Sequence, residues 1–326
     1  MNIVISDDYQ DCVRTLDSFK RLSNHRVTIY KDTLTDVDQL AARFAPADVA
    51  ILIRERTRID RSLLEKLPGL KFISQTGRAA NHVDLQACTE FGIPVGAEGD
   101  ATNSAAELSW TLLLGISRRL VVEANAFSAG KWQTSLGTTL KGRTLGIAGY
   151  GRIGALVASY GKAFGMHVIA WGNRENSSAR AAADGHEVVT DRREFFSRCD
   201  ALSIHLRLTP DSRGIVTRDD LAAMKTDAIL INTSRAELIE DNALIEALKA
   251  GRPGFAGIDV HPGEPIHDTG YPLLTMPNVL CTPHIGYVEK DTYERYFSFA
   301  IDQALAWERG EPLNLLNPDA WERRRR

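Results

Sequence analysis

Three kinds of side chain that could together reduce a carbonyl stand just beyond short apolar runs in the second half of the chain. In "AILINTSRAELI" Arg235 follows such a run. In "AGIDVHPGEP" Asp259 ends another, and Glu264 lies in the Pro- and Gly-rich segment after it. In "VLCTPHIGY" His284 ends a third. A guanidinium can hold a carboxylate and polarise the carbonyl next to it. An imidazolium can give its proton to the carbonyl oxygen as hydride arrives, and the neutral ring can take it back in the reverse direction. A carboxylate touching that ring favours its charged form. The set suits the interconversion of a 2-oxo acid and a 2-hydroxy acid. Each residue also has a plainer reading: Arg235 as a surface cation, Glu264 as a loop acid, His284 as a buried core histidine. Three such accidents at successive strand ends are much less probable than one.

The hydride source is signalled by "TLGIAGYGRIGALVASYGKAF" (144–164), in which an apolar run enters Gly149-Tyr150-Gly151-Arg152-Ile153-Gly154 and a helical pattern follows. The first glycine permits a tight turn, the second lets the backbone approach a pyrophosphate, and the third allows close helix–strand packing. The helix start then offers N–H groups and a positive dipole end to the phosphates. The spacing alone is weak, but strand, loop and helix occur together. The next apolar run, "HVIAWGNR", ends in Gly172-Asn173-Arg174 where an acid would pair with the adenosine ribose hydroxyls. Without that acid a 2′-phosphate is not repelled, and Arg174 could pair with it. NAD(H) or NADP(H) is therefore expected, with NADP(H) slightly favoured; Arg174 as a solvated loop residue is the other reading.

These groups need strands to carry them, and the whole chain alternates short apolar runs with helical patterns. "NIVIS" (2–6), "VTIY" (27–30), "VAILI" (49–53), "LKFIS" (70–74) and "PVG" (94–96) form one series. A second runs from "TLGIAGY" (144–150) through "HVIAW", "EVV", "ALSIHL", "AILINT" and "FAGIDV" to "VLCTPH" (279–284). Such alternation predicts α/β architecture with parallel sheets and crossover helices. Between the series, residues 103–132 read as one long helix, either breaking near Gly115 or extending beyond its own domain as a subunit contact. The chain of 326 residues suits two domains. With 44% hydrophobic and 25% charged residues and a net charge of −3, it reads as a globular protein without a nucleic-acid footprint. "RRRR" (323–326) reads as a solvated, frayed terminus. Cys12, Cys88, Cys199 and Cys281 have no metal-type spacing and read as reduced thiols of a cytoplasmic protein, with no metal site. No apolar run approaches the ~18 residues of a membrane span, and the N-terminus lacks an export pattern.

The motifs "GYGRIG", "LINTSRAELIEDNALIEAL", "AGIDVHPGEP" and "NVLCTPHIGY" together resemble the D-isomer-specific 2-hydroxyacid dehydrogenases, over nearly the whole chain. The resemblance places that family's arginine, glutamate and histidine on Arg235, Glu264 and His284. It places cofactor contacts on Arg152 and Ile153, on Thr233 and Ser234, on Asp259 and on Gly286, with His205 and Thr209 lining the cofactor. It implies two Rossmann-like domains: a flavodoxin-like substrate domain from 1–101 and 289–326, and a cofactor domain, 102–288, inserted into it, with the cleft at the hinge. It also implies a homodimer formed through the helix from 103. "TGRAANHVDL" (76–85) resembles the loop whose N–H groups hold the substrate carboxylate, with Arg78 and Ala79 at the substrate and Arg78-Ala79-Ala80 in place of a further small glycine. Arg78 either adds charge there or points to solvent. Tyr287, where a second glycine is frequent, either narrows the pocket or packs.

The expected activity is transfer of a hydride between NAD(P)(H) and a small D-2-hydroxy acid or 2-oxo acid. The alternative is a dinucleotide-sensing protein on the same fold, against which the retained arginine, glutamate and histidine count. The absence of spare length for a regulatory domain weakens a phosphoglycerate reading. Nucleic acid and membrane are not expected partners.

Overall fold

The structure, a computed structural model, describes residues 1–172 and 175–325. It divides into two compact units, Met1–Ala101 with Glu289–Arg326, and Thr102–Val288. The first leg of the chain lays down β1 (Asn2–Ile5), β2 (Arg26–Ile29), α1 (Val37–Phe44), β3 (Val49–Leu52), α2 (Arg61–Glu65), β4 (Phe72–Thr76), α3 (Leu85–Glu90) and β5 (Val95–Glu98). All pairings are parallel, in the order β2-β1-β3-β4-β5. Every residue of β3 and β4 is buried, as expected of inner parallel strands covered on both faces. Asp36, Asp60 and Asp84 start the three helices by accepting a hydrogen bond from the third residue beyond them.

The second unit begins with α4 (Thr102–Ser117) and α5 (Leu120–Ser128). The predicted single helix over 103–132 is thus two, and the break falls beyond Gly115. Arg119 adopts a left-handed conformation (φ 53°) that ends the helical path. Gly115 stays inside α4. There follow β6 (Thr144–Ala148), α6 (Arg152–Ala163), β7 (His167–Trp171), α7 (Glu175–Ala183), β8 (Glu187–Val188), α8 (Arg192–Arg198), β9 (Ala201–Ile204), α9 (Arg218–Ala223), β10 (Ile229–Asn232), α10 (Ala243–Lys249), β11 (Phe255–Ile258), α11 (Pro272–Thr275) and β12 (Val279–Cys281). The seven strands are parallel in the order β12-β11-β10-β9-β6-β7-β8. The strand order reverses between β6 and β9, which makes their carboxyl ends the expected ligand crevice. One core packs Phe195, Phe196, Leu202, Leu221, Leu230 and Ile258; another packs Leu112, Leu113, Leu145, Ile147 and Val157. Both sheets bear out the α/β reading.

The chain then returns to the first unit with α12 (Lys290–Glu308), started by Glu289, whose carboxylate accepts from the N–H groups of Asp291 and Thr292. The basic terminus is not frayed over its described residues. Arg325 donates from Nη1 to the carbonyls of Leu67, Pro68 and Leu70 at 2.9, 2.9 and 3.1 Å, and its guanidinium lies over the Phe91 ring. Arg324 lies over Trp321. The guanidinium thus satisfies carbonyls at the turn after α2. Arg325→Ala should cost about 1.5–3 kcal/mol, the range for charge-assisted hydrogen bonds. A lowered urea midpoint with unchanged slope checks this. Among the described residues no helix is long and apolar enough to cross a membrane.

Candidate active site

The crevice at the β6/β9 switch is built by glycine chemistry. Gly149 has φ +97°, and a Cβ there would stand 2.8 Å from the carbonyl carbon and oxygen of His205. Only glycine allows the chain to turn against the end of β9 in this way. A Cβ on Gly154 would lie 2.4 Å from the Gly149 carbonyl oxygen, so the start of α6 packs directly on the loop. Gly151 differs: among the described residues a Cβ there would meet nothing within 4 Å. It is the N-cap of α6 and carries no capping side chain, so the helix start offers the first-turn N–H groups of Arg152 and Ile153 through backbone alone. Two contacts from α7 hold the loop: the Tyr150 N–H donates to Ser177 Oγ at 3.1 Å, and Arg180 Nη2 donates to the Tyr150 carbonyl at 3.1 Å. Across the crevice His205 shares a hydrogen bond between Nε2 and Ser203 Oγ at 2.8 Å, and burial lowers its pKa to about 3. The ring stays neutral at ordinary pH. Its Nδ1 is buried without a hydrogen-bond partner among the described residues. Thr209 starts the next short turn, its N–H donating to Ser212 Oγ at 2.8 Å.

Beyond β10, β11 and β12 the chain carries the polar residues. Backbone bonds stitch these ends side by side: Asp259 N–H donates to the Asn232 carbonyl at 3.0 Å, and Thr282 N–H to the Ile258 carbonyl at 2.9 Å. After β10, the buried Asn232 side chain accepts from the Ser234 N–H and donates to the Arg235 carbonyl, at 3.0 and 2.9 Å. Thr233 Oγ1 bonds Ser109 of α4 at 2.7 Å, and Ser234 Oγ donates to the Ile204 carbonyl at 2.8 Å. The turn that carries Arg235 is therefore fixed from three directions. The half-buried Arg235 guanidinium donates from Nη1 to the Ser234 carbonyl at 2.7 Å.

After β11 and β12 the structure joins Glu264 to His284: Oε2 is 2.5 Å from Nδ1. The contact fixes the ring so that Nε2 is the nitrogen left for another partner. Both side chains are mostly buried. His284 sits at φ 53°, an uncommon conformation for a side-chain-bearing residue. Asp259 holds it there. Its fully buried carboxylate accepts from Thr282 Oγ1 at 2.6 Å, Ile285 N–H at 2.8 Å and Gly286 N–H at 2.9 Å. Burial raises the Asp259 pKa above the ordinary carboxylate value, against the pull of the Thr282 hydroxyl, the two N–H groups and nearby His284. A Cβ on Gly286 would approach Asp259 Oδ2 to 3.1 Å, so this glycine serves the anchor. Tyr287 is buried and packs edge-on to the His284 ring, centroids 5.7 Å apart.

Other expected site residues are placed differently. Arg78, exposed, pairs with Glu98 through Nε at 2.9 Å and Nη2 at 2.8 Å. Gln75, buried in β4, donates to the Ala79 carbonyl at 3.2 Å and so holds that loop. Asn173 and Arg174 lie outside the described residues. Sequence reasoning missed Asn232, Gln75, Ser177 and Arg180: the roles of Ser177 and Arg180 depend on Tyr150, 27 and 30 residues away, whereas Asn232 and Gln75 bond backbone groups within four residues that only the local turns bring into reach. Asn232, a polar residue ending the apolar "AILIN", was the one visible signal. Among the described residues no group of three His, Cys, Asp or Glu could hold a metal.

A dinucleotide fits these residues. Open space over Gly151, a helix start capped by backbone only and an orphaned buried Nδ1 on His205 are what a phosphate-bearing ligand would fill. Fold and crevice together define a dinucleotide-binding α/β protein. Residues 110–286 match the sequence profile described as D-isomer specific 2-hydroxyacid dehydrogenase, NAD binding domain. The glyoxylate reductase of Thermococcus litoralis is 37% identical over 274 residues, 80% of this chain and 81% of that protein. The chain belongs to the D-isomer specific 2-hydroxyacid dehydrogenase family. The D-3-phosphoglycerate dehydrogenase of Methanocaldococcus jannaschii is 36% identical over 84% of the chain, which spans about half (52%) of that relative's length. The crystal structure of a Ralstonia solanacearum oxidoreductase, named after D-3-phosphoglycerate dehydrogenase, superposes with a TM-score of 0.95 at 47% identity, over 98% of each chain.

Proposed function

We propose that this protein transfers a hydride between a nicotinamide dinucleotide and a small D-2-hydroxy acid or 2-oxo acid. The observation that carries the reading is the 2.5 Å contact between Glu264 and His284, in the same unit as the dinucleotide crevice. The nicotinamide group, when bound, supplies or accepts the hydride. Gly149, Gly151, Arg152, Ile153 and Gly154 cradle the pyrophosphate, and His205, Thr209, Thr233, Ser234, Asp259 and Gly286 line the rest of the cofactor site. Arg235 binds the substrate carboxylate and polarises the adjacent carbonyl. His284 holds the transferable proton at Nε2, and Glu264 at Nδ1 stabilises the charged ring. Arg78 and Ala79 are substrate contacts in this reading; because Glu98 pairs with Arg78, their loop acts on an anion mainly through backbone N–H groups. The four thiols support neither a cysteine nucleophile nor an export route. Burial raises Cys88 and Cys199 to about 12, and Cys12 and Cys281 to about 11, and all four are free. They suit a reducing, cytoplasmic setting.

NADP(H) is the preferred cofactor in this reading, because β7 runs into Gly172 rather than an acid. Gly172→Asp should weaken NADPH relative to NADH at least tenfold, about 1.4 kcal/mol of added repulsion. Among the described residues a Cβ at Gly172 meets only Ser177 Oγ, at 3.8 Å, so the fold tolerates the change. Fluorescence titration with both cofactors measures the ratio. The partner is a second copy of the chain. Leu120, Phe127, Trp132 and Leu136, 63, 66, 74 and 96% exposed, form an apolar arm on and beyond α5, suited to a symmetric interface. Light scattering reads the assembly.

The defining experiment follows the absorbance of reduced nicotinamide with glyoxylate, hydroxypyruvate, pyruvate and 3-phosphohydroxypyruvate. Turnover of at least one is expected. Tight cofactor binding without turnover of any 2-oxo acid would instead favour a dinucleotide sensor.

A further inference from the structure

Beside the Glu264–His284 pair lies a second histidine with no part in the proposed chemistry. His261 is buried, 8% exposed, three residues before Glu264. Its backbone N–H donates to Glu264 Oε1 at 2.7 Å, the oxygen not used by His284. Its ring Nε2 donates to the carbonyl of Thr282 at 3.0 Å. That carbonyl also accepts the backbone N–H of His284, at 3.0 Å. The ring stands edge-on to Tyr271, centroids 5.7 Å apart, and its Nδ1 is buried without a hydrogen-bond partner among the described residues.

We propose that His261 is a positioning residue: its side chain pins the loop that carries Glu264 to the loop that carries His284, and so sets the contact between them. The inference rests on the reading of Glu264 and His284 as the acid–base pair. Glu264 and His284 follow different strands, and a 2.5 Å contact between them requires both loops to keep register. Asp259 fixes the His284 loop from below through Thr282, Ile285 and Gly286. The Glu264 loop is rich in proline and glycine, and beside the Glu264–His284 contact itself the imidazole N–H on Thr282 ties it to that anchored loop. Packing alone gives no reason for a histidine here. A phenylalanine would meet Tyr271 equally well and would leave no buried nitrogen unpaired. Among the described residues, Glu264 bonds the His284 ring, Tyr287 packs edge-on to it and the Asp259 charge lies near it; His261 meets Glu264 through its backbone N–H, Thr282 through Nε2 and Tyr271 ring to ring.

The test compares wild type with His261→Phe and His261→Gln. Phenylalanine removes the donor and keeps the ring. Glutamine carries an amide nitrogen the same number of bonds from Cβ as imidazole Nε2. The primary readout is the titration midpoint of the His284 imidazole, followed by 15N NMR on the full chain without substrate and assigned by His284→Asn. In the phenylalanine variant Glu264 drifts from the ring, so the midpoint falls by at least half a pH unit. With an active substrate, kcat falls about tenfold, the equivalent of 1.4 kcal/mol, while cofactor affinity is unchanged. Glutamine restores both. Should the phenylalanine variant not fold, His261→Met carries the same comparison. A wild-type midpoint in the donor-free variant, or a lowered one that glutamine does not recover, overturns the proposal. If His284→Asn turns over substrate like wild type, the acid–base reading fails, while the NMR midpoints still decide whether His261 sets the contact.

Discussion

His284→Asn should lower kcat by roughly 100- to 10,000-fold, the usual worth of a positioned acid–base group, with cofactor affinity within about twofold of wild type. Asparagine is the informative replacement because it tolerates the left-handed backbone that His284 adopts, at φ 53°. Alanine at the same place would add backbone strain and blur the comparison. The asparagine variant keeps the Asp259 anchor, which bonds backbone N–H groups of Ile285 and Gly286 and not the His284 ring. The loss therefore reports the missing proton carrier. Glu264→Gln should act more mildly and differently. It retains a group near Nδ1 but removes the carboxylate that balances the charged ring, so kcat of carbonyl reduction should fall by about tenfold, the equivalent of about 1.4 kcal/mol, with cofactor affinity unchanged. Steady-state kinetics across pH, with thermal midpoints as a folding control, check both variants. An asparagine variant with wild-type kcat would remove His284 from the chemistry.

Parts of this site were legible in the sequence because they are local. The spacing of Gly149, Gly151 and Gly154 between a strand and a helix carries its meaning within six residues, and the observed β6–loop–α6 unit is what that spacing encodes. Alternation of apolar runs was enough for two parallel sheets, since inner parallel strands are apolar on both faces. What could not be read is what depends on the path of a turn or on partners far along the chain. Asn232 organises the Arg235 turn through residues two and three further on, and Ser177 and Arg180 brace the phosphate loop from α7; none of these residue types announces such a role. The place of the break between α4 and α5 escaped because it falls at Arg119, while Gly115, the residue that invited a break, stays within α4, where an added Cβ would stand 3.5 Å from the Leu280 side chain. The terminal arginines misled for the same reason. A run of like charges reads as solvated, but Arg325 finds three carbonyls that only the fold brings together. His261 is the sharpest case: within "DVHPGEP" it looks like a loop residue, and its ring partner is Thr282, across two strands' ends.

Gly151→Val should abolish cofactor binding while leaving the fold nearly intact, and the reason lies in what the glycine does not touch. Its backbone angles, φ −91° and ψ −163°, are open to any residue, and among the described residues an added Cβ meets no atom within 4 Å. Nothing among those residues requires glycine there. A ligand lying over the helix start does, because side-chain atoms would occupy the space through which phosphate oxygens reach the first-turn N–H groups. Two charge-assisted hydrogen bonds, at about 1.5 kcal/mol or more each, correspond to at least a 100-fold loss of affinity. The fold should lose about 1 kcal/mol, since valine is a poor N-cap. Gly151→Ser separates the two effects further: serine caps a helix well, so stability should hold or rise slightly while cofactor affinity still falls. Gly149→Ala makes the opposite case. Its φ of +97° and the 2.8 Å approach to the His205 backbone mean that alanine strains the fold before any ligand is considered. Calorimetric titration with NADH and NADPH, run beside urea denaturation of the same three variants, distinguishes a glycine kept for a ligand from one kept for a turn. Equal cofactor affinity in Gly151→Val and wild type would mean that the phosphates do not lie over this helix start.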